Sequence, residues 1–280
     1  MDDKKRGWLA KWSEEEDEVI RQYYPKNGWQ KVHQILPNRS KKSIQGRAFK
    51  LNIQYLYYNK DYFEDINTAS KAYWLGFLYA DGFVSTDNRW GLELQLVDKH
   101  HMENFLNDFD CNINIRERTR EGHSFCNFMI KNEKMYNDLV NHGVVPNKTY
   151  CLQFPSDTIL NYNYMNHFIR GFFDGDGCIS WERYLRTKNN WKTSFYSIKK
   201  EVSIVCKSED FLDDVIDELN HNDIRTSKLY NSRSDLPTLK ITNCENILKF
   251  YQYIYKNSDE TNRLSRKYDK FNELIATINQ

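Results

Sequence analysis

The chain has 280 residues, of which 40% are hydrophobic and 15% aromatic, with 40 Lys and Arg against 39 Asp and Glu. This apolar content can bury the core of one large domain or about two ordinary ones, which excludes a wholly disordered chain. No run approaches the about 18 apolar residues of a membrane span, and residues 1–6 are charged, unlike a signal peptide. We therefore expect no membrane partner and no secretion, and a location in the cytoplasm of a bacterial or phage-infected cell or in an organelle.

The small net charge of +1 conceals two parts of opposite sign. Residues 1–55 carry 12 Lys and Arg against 7 Asp and Glu, a net charge of +5, whereas the remainder carries 28 against 32, a net charge of −4. Residues 38–50 contain five basic residues and no acidic one. A small basic module attached to a larger, slightly acidic body indicates a nucleic acid as partner.

The sequence of the basic module predicts three short helices. Ser13 is a good N-cap before an acidic first turn, and apolar residues follow at helical spacing as far as Tyr24. Residues 25–28 (PKNG) end this helix, and a second one runs over residues 29–36. The third helix is capped by Ser40 and is basic.

Trp12, Trp29 and the segment LPNRSKKSIQGRAFKL (36–51) resemble the Myb/SANT-like helix-turn-helix family. The sequence departs from this family because Ala48 or Phe49 stands where many members have a third Trp. The resemblance implies that the third helix enters the major groove of DNA. The residues that we expect to contact phosphates and bases there are Lys41, Lys42, Gln45, Arg47 and Lys50. The alternative is a solvated basic helix in a protein-binding SANT domain.

The larger body contains an internal repeat. Residues 71–84 (KAYWLGFLYADGFV) and 166–179 (NHFIRGFFDGDGCI) align with an offset of 95 residues. Each is followed by segments typical of two strands, a helix, two strands and a helix. We therefore predict an α+β protein in which an αββαββα unit occurs twice about a pseudo-twofold axis within a single chain. The predicted domains are a helix-turn-helix domain (1–55), a linker (56–70), a first repeat (71–160) and a second repeat (161–280).

Small residues recur at one spacing in both repeated helices. Gly76 and Ala80 are four residues apart, as are Gly171 and Gly175. Each helix thus presents a face of small residues, and two such faces allow helix backbones to approach closely. We expect the two helices to pack on each other about the pseudo-twofold axis.

This packing would bring Asp81 and Asp176 together at the C-terminal ends of the two helices. Two carboxylates at the negative ends of two helix dipoles repel each other unless they are protonated or a cation neutralises them. Mg²⁺, a hard ion that prefers oxygen ligands, is the natural cation. We also expect the following residues, Gly82 and Gly177, to end the helices in the left-handed conformation.

The segments WLGFLYADG (74–82) and IRGFFDGDG (169–177) resemble the two copies of the signature helix of LAGLIDADG homing endonucleases. With the supporting repeat, the resemblance covers about residues 71–275. It implies two saddle-shaped antiparallel sheets, and it assigns the metal-binding catalytic carboxylate of each motif to Asp81 and Asp176. It also implies metal ligation by the carbonyl groups that precede them, those of Ala80 and Gly175. Two motif positions depart from the family pattern without touching these carboxylates, namely Tyr79 in place of Asp and Arg170 in place of Ala.

The family carries a basic residue near the end of each half, close to the scissile phosphates. By resemblance this residue is Lys148 in the first half and Lys267 in the second, with Arg266 as a competitor. Such a cation would stabilise charge that develops on the phosphate or would tune the attacking water. Asp98 and Ser208 stand where members often place a side chain that orders water.

The strands are expected to supply the surface that reads DNA. Arg116, Arg118 and Arg120 fall on alternate positions and therefore share one face of a strand, while Ile113 and Ile115 would pack on the body. An arginine ladder of this type suits the major groove. The less regular candidates of the second half are Arg183, Arg186, Lys188, Lys199 and Lys200.

The resemblance implies a monomeric, site-specific endonuclease that makes a staggered break in a long double-stranded DNA target. Mg²⁺ is the expected cofactor, with Mn²⁺ as a substitute. One alternative is a maturase that acts on the host intron RNA. Another is a DNA-binding regulator that does not cleave. The intact pair of aspartates favours the endonuclease over both.

Overall fold

A computed structural model describes residues 11–187, 194–230 and 236–278, and the chain divides into two compact units. The first unit comprises the residues up to Asn59 together with Phe109–Ile113, and the second comprises Lys60–Asp108 and the residues from Asn114 onward. No helix in the described part of the chain is long and apolar enough to cross a membrane. Lys188, an expected DNA contact, lies outside the described residues.

The first unit contains α1 (Glu14–Ile35) and α2 (Lys41–Lys50). A capping box starts α1, because the Ser13 side chain accepts a hydrogen bond from the Glu16 backbone and the Glu16 side chain accepts one from the Ser13 backbone. The helix is divided at Gly28, where φ is 69° and ψ is −168°, a conformation that is essentially restricted to glycine. The α1 span therefore holds the first two predicted helices, and α2 is the third.

The core of the first unit is formed by α1 and α2. Ile20, Val32 and Ile44 are fully buried in it. Ala48 is also buried, whereas its neighbour Phe49 is 86% exposed. Ala48 therefore takes the inward position for which the sequence offers two candidates.

The second unit contains the predicted αββαββα order twice. The first repeat consists of α3 (Ala69–Ala80), β1 (Gly82–Ser85), β2 (Arg89–Gln95), α4 (Lys99–Asp108), β3 (Arg116–Arg120), β4 (His123–Lys131) and α5 (Glu133–Asn141). The second consists of α6 (Met165–Asp176), β5 (Gly177–Thr187), β6 (Ser194–Val205), α7 (Glu209–His221), β7 (Ser227–Tyr230), β8 (Pro237–Ile241) and α8 (Cys244–Tyr255). A further helix, α9 (Ser265–Ile278), follows the second repeat.

Each repeat forms a four-stranded antiparallel sheet, with strand orders β1-β2-β4-β3 and β5-β6-β8-β7. The same order in both sheets confirms the duplication. Alternate residues on one face are buried, as shown by Leu92 opposite Phe128 in the first sheet and Ile204 opposite Leu239 in the second. The opposite face of each sheet is left for other contacts.

Gly82 and Gly177 do not end their helices in the left-handed conformation, so that expectation is wrong. Gly177 has φ −71° and ψ 153°, which is extended backbone, and the two glycines are the first residues of β1 and β5. A Cβ atom at Gly82 would lie 2.7 Å from the carbonyl oxygen of Leu78, and one at Gly177 would lie 2.5 Å from that of Phe173. Glycine is needed here because each strand begins close to the last turn of the preceding helix, which leaves no room for a Cβ atom.

Candidate functional site

Two glycines set the distance between α3 and α6, the two motif helices. A Cβ atom built at Gly76 would overlap the carbonyl oxygen of Phe168 and lie 3.0 Å from the backbone nitrogen of Phe172. One built at Gly171 would overlap the carbonyl oxygen of Tyr73 and lie 2.7 Å from the Phe77 nitrogen. These contacts are equivalent under the offset of 95 residues, so the pseudo-twofold axis passes between the two helices.

The same packing places the two predicted carboxylates together. Asp81 caps the C-terminus of α3, and Asp176 is the last residue of α6. A Cβ atom at Gly175, the residue before Asp176, would lie 3.1 Å from Oδ2 of Asp81. The aspartates therefore meet where the two helices end, as the small-residue spacing predicts.

The carboxylates share one electrostatic environment. Surrounding protein and the charge of Asp176 raise the pKa of Asp81 to about 6, while Lys148, Lys267 and Arg266 oppose this shift. Surrounding protein also raises the pKa of Asp176, against the influence of the same two lysines. Both aspartates nevertheless keep exposed surface. They form a close, solvent-accessible pair whose negative charge the nearby lysines offset only in part, which is the electrostatic condition for binding a cation.

Lys148 lies at the C-terminal end of α3. Its Nζ donates a hydrogen bond to the carbonyl oxygen of Leu78 at 2.9 Å and another to that of Gly82. Burial lowers the pKa of this lysine to about 8, although Asp176 and Asp81 act to raise it. The side chain thus joins the last turn of α3 to the first residue of β1, beside the carboxylates.

Lys267 makes the equivalent contacts at the end of α6. Its Nζ donates to the carbonyl oxygens of Phe173 at 3.2 Å and Gly175 at 3.3 Å, and also to that of Gly177. Burial lowers the pKa of Lys267 as well. Because Phe173 and Gly177 correspond to the two residues bound by Lys148, the two lysines are related by the pseudo-twofold axis.

Three other predicted residues are engaged elsewhere. Arg266 donates from Nε to both carboxylate oxygens of Asp98, at 2.8 and 2.9 Å, so Lys267 rather than Arg266 binds the end of its helix. Ser208 is buried and donates to the carbonyl oxygen of Leu152 at 2.7 Å. Asp98, also buried, and Ser208 therefore already have protein partners.

The donor set at the helix ends consists of oxygen atoms. It comprises the two carboxylates and the nearby backbone carbonyl groups, among which the sequence predicts those of Ala80 and Gly175. Over the described ranges, no group of three or more His, Cys, Asp and Glu side chains could hold a metal ion. Two carboxylates fit Mg²⁺, which often binds through one or two carboxylates and completes its octahedron with water and phosphate oxygens.

A family model matches the chain in each of its two units. Residues 163–255 match a family model described as a LAGLIDADG-like domain, and residues 10–51 match a Myb-like DNA-binding domain. A comparison with curated proteins found no sequence match.

The chain is also similar to solved structures. The I-LtrWI LAGLIDADG homing endonuclease bound to target DNA has a TM-score of 0.53 at 12% identity, over 79% of this chain and 91% of that one. I-SmaMI bound to cleaved DNA has a TM-score of 0.50 at 12% identity, over 76% and 89%. The meganuclease I-CpaMI bound to uncleaved DNA has a TM-score of 0.50 at 12% identity, over 74% and 91%.

The chain has the fold of LAGLIDADG homing endonucleases. Residues 10–51, which match the Myb-like model, are called the Myb-like domain below. At 12% identity, the likeness to solved structures is one of fold, and it extends over both LAGLIDADG repeats. The family match itself covers the second repeat, in which the motif departs from the pattern at Arg170. Arg170 is fully buried and donates to the carbonyl oxygens of Ile254 and Asn262, each at 2.9 Å. An arginine among buried helix positions is the sequence signal for this structural role.

The arginines predicted on the first LAGLIDADG repeat share the sheet face that is turned away from the helices. Register places Arg116 opposite Asn127, whereas the next residue of β4, Phe128, is buried on the other face. Every residue of β3 is exposed. Arg118 forms an ion pair with Glu93 of β2 on the same face. The three arginines thus lie on an outward face, although Arg118 and Arg120 already have acidic partners, the latter in Glu121 at 3.6 Å.

The candidates on the second LAGLIDADG repeat divide between two faces. Arg183 and Arg186 are three residues apart in β5 and therefore point to opposite sides of the sheet. The guanidinium of Arg183 lies over the ring of Tyr196, 4.0 Å from its centroid. Arg186 shares the outward face with Glu182, which stands opposite Lys199 of β6. Arg186 and Lys199 therefore correspond to the arginine face of the first repeat, and Arg183 does not.

Most of the residues predicted on α2 of the Myb-like domain are exposed, namely Lys41, Lys42, Gln45 and Lys50. Arg47 instead donates from Nε to Oδ1 of the buried Asp17 at 2.7 Å and so ties α2 to α1. A cavity of about 340 Å³ lies beside α2, and its lining includes Trp12. The exposed basic side chains of α2 remain candidates for DNA contact, while Arg47 has an internal partner.

Proposed function

We propose that the chain is a site-specific endonuclease that makes a metal-dependent, staggered double-strand break in a long DNA target. The observation that carries this proposal is the symmetric pairing of Asp81 and Asp176 at adjoining helix ends, each with its own lysine. If Asp81 and Asp176 served only to end their helices, the two carboxylates would not need to meet, and neither would need a lysine nearby. Two equivalent half-sites suit a substrate with two strands to cut.

Asp81 and Asp176 would hold divalent ions, Mg²⁺ or Mn²⁺ in its place, together with the carbonyl oxygens of Ala80 and Gly175. When bound, such ions activate water and neutralise the oxygen that leaves the phosphodiester. The close approach of α3 and α6 fixes the separation of the two carboxylates before DNA arrives, so little reorganisation is required.

Lys148 and Lys267 would stabilise the negative charge that develops on the scissile phosphates. Their hydrogen bonds to backbone carbonyls hold each ammonium group at the end of one motif helix. Each lysine thus belongs to one motif helix, although both lysines influence both carboxylates, and each lysine would act on one strand.

The outward faces of the two sheets would bind the DNA. In the first repeat this face carries Arg116, Arg118 and Arg120, and in the second it carries Arg186 and Lys199. Alternating basic side chains can contact both phosphates and base edges in the major groove. The exposed basic residues of α2 would add a second tethered DNA contact and so raise the overall affinity. We propose that the protein acts as a monomer, because both half-sites lie within one chain.

Sequencing of new DNA ends tests the proposal even though the target sequence is unidentified. The full chain would be incubated with Mg²⁺ and genomic DNA from a host strain that lacks the gene for this chain. The variants Asp81→Asn and, as a control, Asp210→Asn would be treated in the same way. Asp210 is an exposed carboxylate in the first turn of α7 and belongs to neither motif helix. We expect one dominant staggered break with the wild-type and control proteins and none with Asp81→Asn.

Other outcomes would overturn the proposal. Full cutting by Asp81→Asn would refute the assigned site. Sequence-selective DNA retention without any break would indicate a non-cleaving regulator, and selective capture of the host intron RNA would indicate a maturase.

A further inference from the structure

The sixth position of the two motif helices is occupied by different residues, Tyr79 in α3 and Asp174 in α6. Both are almost completely buried, with 1% and 0% exposure. Neither is part of the carboxylate pair, and their chemistry differs, since a tyrosine hydroxyl can donate a hydrogen bond and a carboxylate accepts. Yet each contacts the chain segment that leads to the lysine of its own half.

Asp174 holds the beginning of α9. Its Oδ2 accepts a hydrogen bond from the backbone nitrogen of Leu264 at 2.7 Å and another from the hydroxyl of Tyr73 at 2.9 Å. Its Oδ1 accepts from the hydroxyl of Tyr255 at 2.8 Å. Leu264 directly precedes α9, and its carbonyl oxygen accepts from the backbone nitrogen of Lys267 at 3.0 Å. Asp174 therefore fixes the helix turn that carries this lysine.

Tyr79 holds the end of α5. Its hydroxyl donates to the carbonyl oxygen of His142 at 2.6 Å, and the His142 ring in turn contacts the carbonyl oxygen of Phe63 at 2.7 Å. The next residue, Gly143, has a φ of +92°, and a Cβ atom there would overlap the Tyr79 hydroxyl. The chain then runs the short distance to Lys148. Tyr79 therefore fixes the point from which this segment starts.

We infer that Tyr79 and Asp174 are positioning residues, each of which places the lysine of its own half beside the carboxylates. The inference rests on the proposed function, because the lysines act in cleavage only if that proposal holds. The hydroxyl of Tyr79 makes its hydrogen bond within the first repeat, although its ring packs against Phe168 and Phe211 of the second, and Asp174 binds the backbone just before α9. The two anchors hold different lysine segments through separate hydrogen bonds, so loss of one of these hydrogen bonds should slow the cutting of one strand.

The test measures the cleavage rate of each strand separately. The full-length variants Tyr79→Phe and Asp174→Asn would be compared with Lys148→Met and Lys267→Met on a target labelled on both strands, under single-turnover conditions. Tyr79→Phe should slow the strand that Lys148→Met slows, by about tenfold or more, because small displacements of a catalytic group are costly. Asp174→Asn should slow the strand that Lys267→Met slows. The ratio of the two strand rates is the signature, since general destabilisation would slow both strands alike.

Tyr253→Phe provides the matched control. It also removes one tyrosine hydroxyl, which donates to Glu218 at 2.7 Å and has no part in either lysine segment. Its strand ratio should equal that of the wild-type protein. Tyr79→Phe is the gentlest change, because it removes a single oxygen atom and keeps the buried ring.

The outcomes separate this inference from the proposed function. If Lys148→Met leaves both strand rates unchanged, the proposed role of the lysine is wrong, and the inference fails with it. If Lys148→Met slows one strand but Tyr79→Phe changes neither rate, or slows both equally, the positioning role of Tyr79 is wrong and the lysine assignment stands. The same comparison between Lys267→Met and Asp174→Asn decides the second half.

Discussion

Replacement of Gly171 by alanine tests whether the contact between α3 and α6 sets the carboxylate pair. In an open helix, this change stabilises by about 0.5–1 kcal/mol, because alanine loses less backbone entropy than glycine. At Gly171 the new Cβ would overlap the carbonyl oxygen of Tyr73. The helices would have to separate by roughly 1 Å or more to restore a contact distance of about 3.5 Å.

Overpacking of this type costs about 1–3 kcal/mol, so it outweighs the gain in helix propensity. We therefore expect Gly171→Ala to lower the free energy of unfolding of the second unit by about 1–2 kcal/mol. The same separation would move Asp176 away from Asp81. Since a misplacement of about 1 Å can cost about 100-fold in rate, cleavage should fall by roughly that factor.

Gly46→Ala is the matched control. Gly46 lies inside α2, and no described atom comes within 4 Å of a Cβ built there. This change should stabilise the first unit by about 0.5–1 kcal/mol. Both variants would be measured by urea denaturation, and Gly171→Ala also by single-turnover cleavage of the mapped target. If Gly171→Ala instead raises stability as Gly46→Ala does and cuts at the wild-type rate, the contact between α3 and α6 does not set the carboxylate pair.

Three further predictions concern the metal and the Myb-like domain. Chelation of divalent cations should abolish cleavage but leave sequence-selective binding intact, and added Mn²⁺ should restore cleavage. Cleavage in excess chelator would contradict the metal assignment. Arg47→Ala leaves the buried Asp17 without its ion-pair partner and should cost about 1–3 kcal/mol in a denaturation experiment, whereas Lys50→Ala, at an exposed position, should cost almost nothing. Phe49→Ala removes an exposed ring from the basic face of α2 and should weaken target binding about tenfold if the ring contacts a thymine methyl group; unchanged affinity would exclude that contact.

The parts of the fold that the sequence predicts depend on patterns that are local or repeated along the chain. The offset of 95 residues between the two motifs identifies the duplication, and the small residues Gly76 and Gly171 predict the close packing of α3 and α6. Once that packing is inferred, symmetry brings Asp81 and Asp176 together. The repeat, the helix packing and the meeting of the aspartates can therefore all be inferred from short-range spacing and from the twofold relation between the repeats.

Other features depend on register or on partners far along the chain. Their positive charge predicts that Arg183 and Arg186 both contact DNA, but only the exact strand register shows that they point to opposite faces of the sheet. Arg47 looks like a DNA contact in sequence because its partner, Asp17, lies in another helix. The hydrogen bond from Leu264 to Asp174 spans 90 residues, so no local pattern reveals it.

The left-handed ending expected for the motif helices failed for a different reason. A glycine after a helix is usually needed for a positive φ, whereas Gly82 and Gly177 are needed because a side chain would strike the preceding turn. Both explanations predict glycine at these positions. The sequence cannot distinguish them, because the conformation after the helix depends on the strand that follows.

The most direct test of the central claim counts the divalent ions that the two aspartates hold. Mn²⁺ binding to the protein–DNA complex would be measured by electron paramagnetic resonance, with the same DNA alone subtracted, for the wild-type chain and for the double variant Asp81→Asn, Asp176→Asn. Protein-dependent Mn²⁺ binding and cleavage should both be lost in the double variant, while DNA binding is retained. Wild-type Mn²⁺ binding by the double variant would contradict the assignment of these two carboxylates as the metal site.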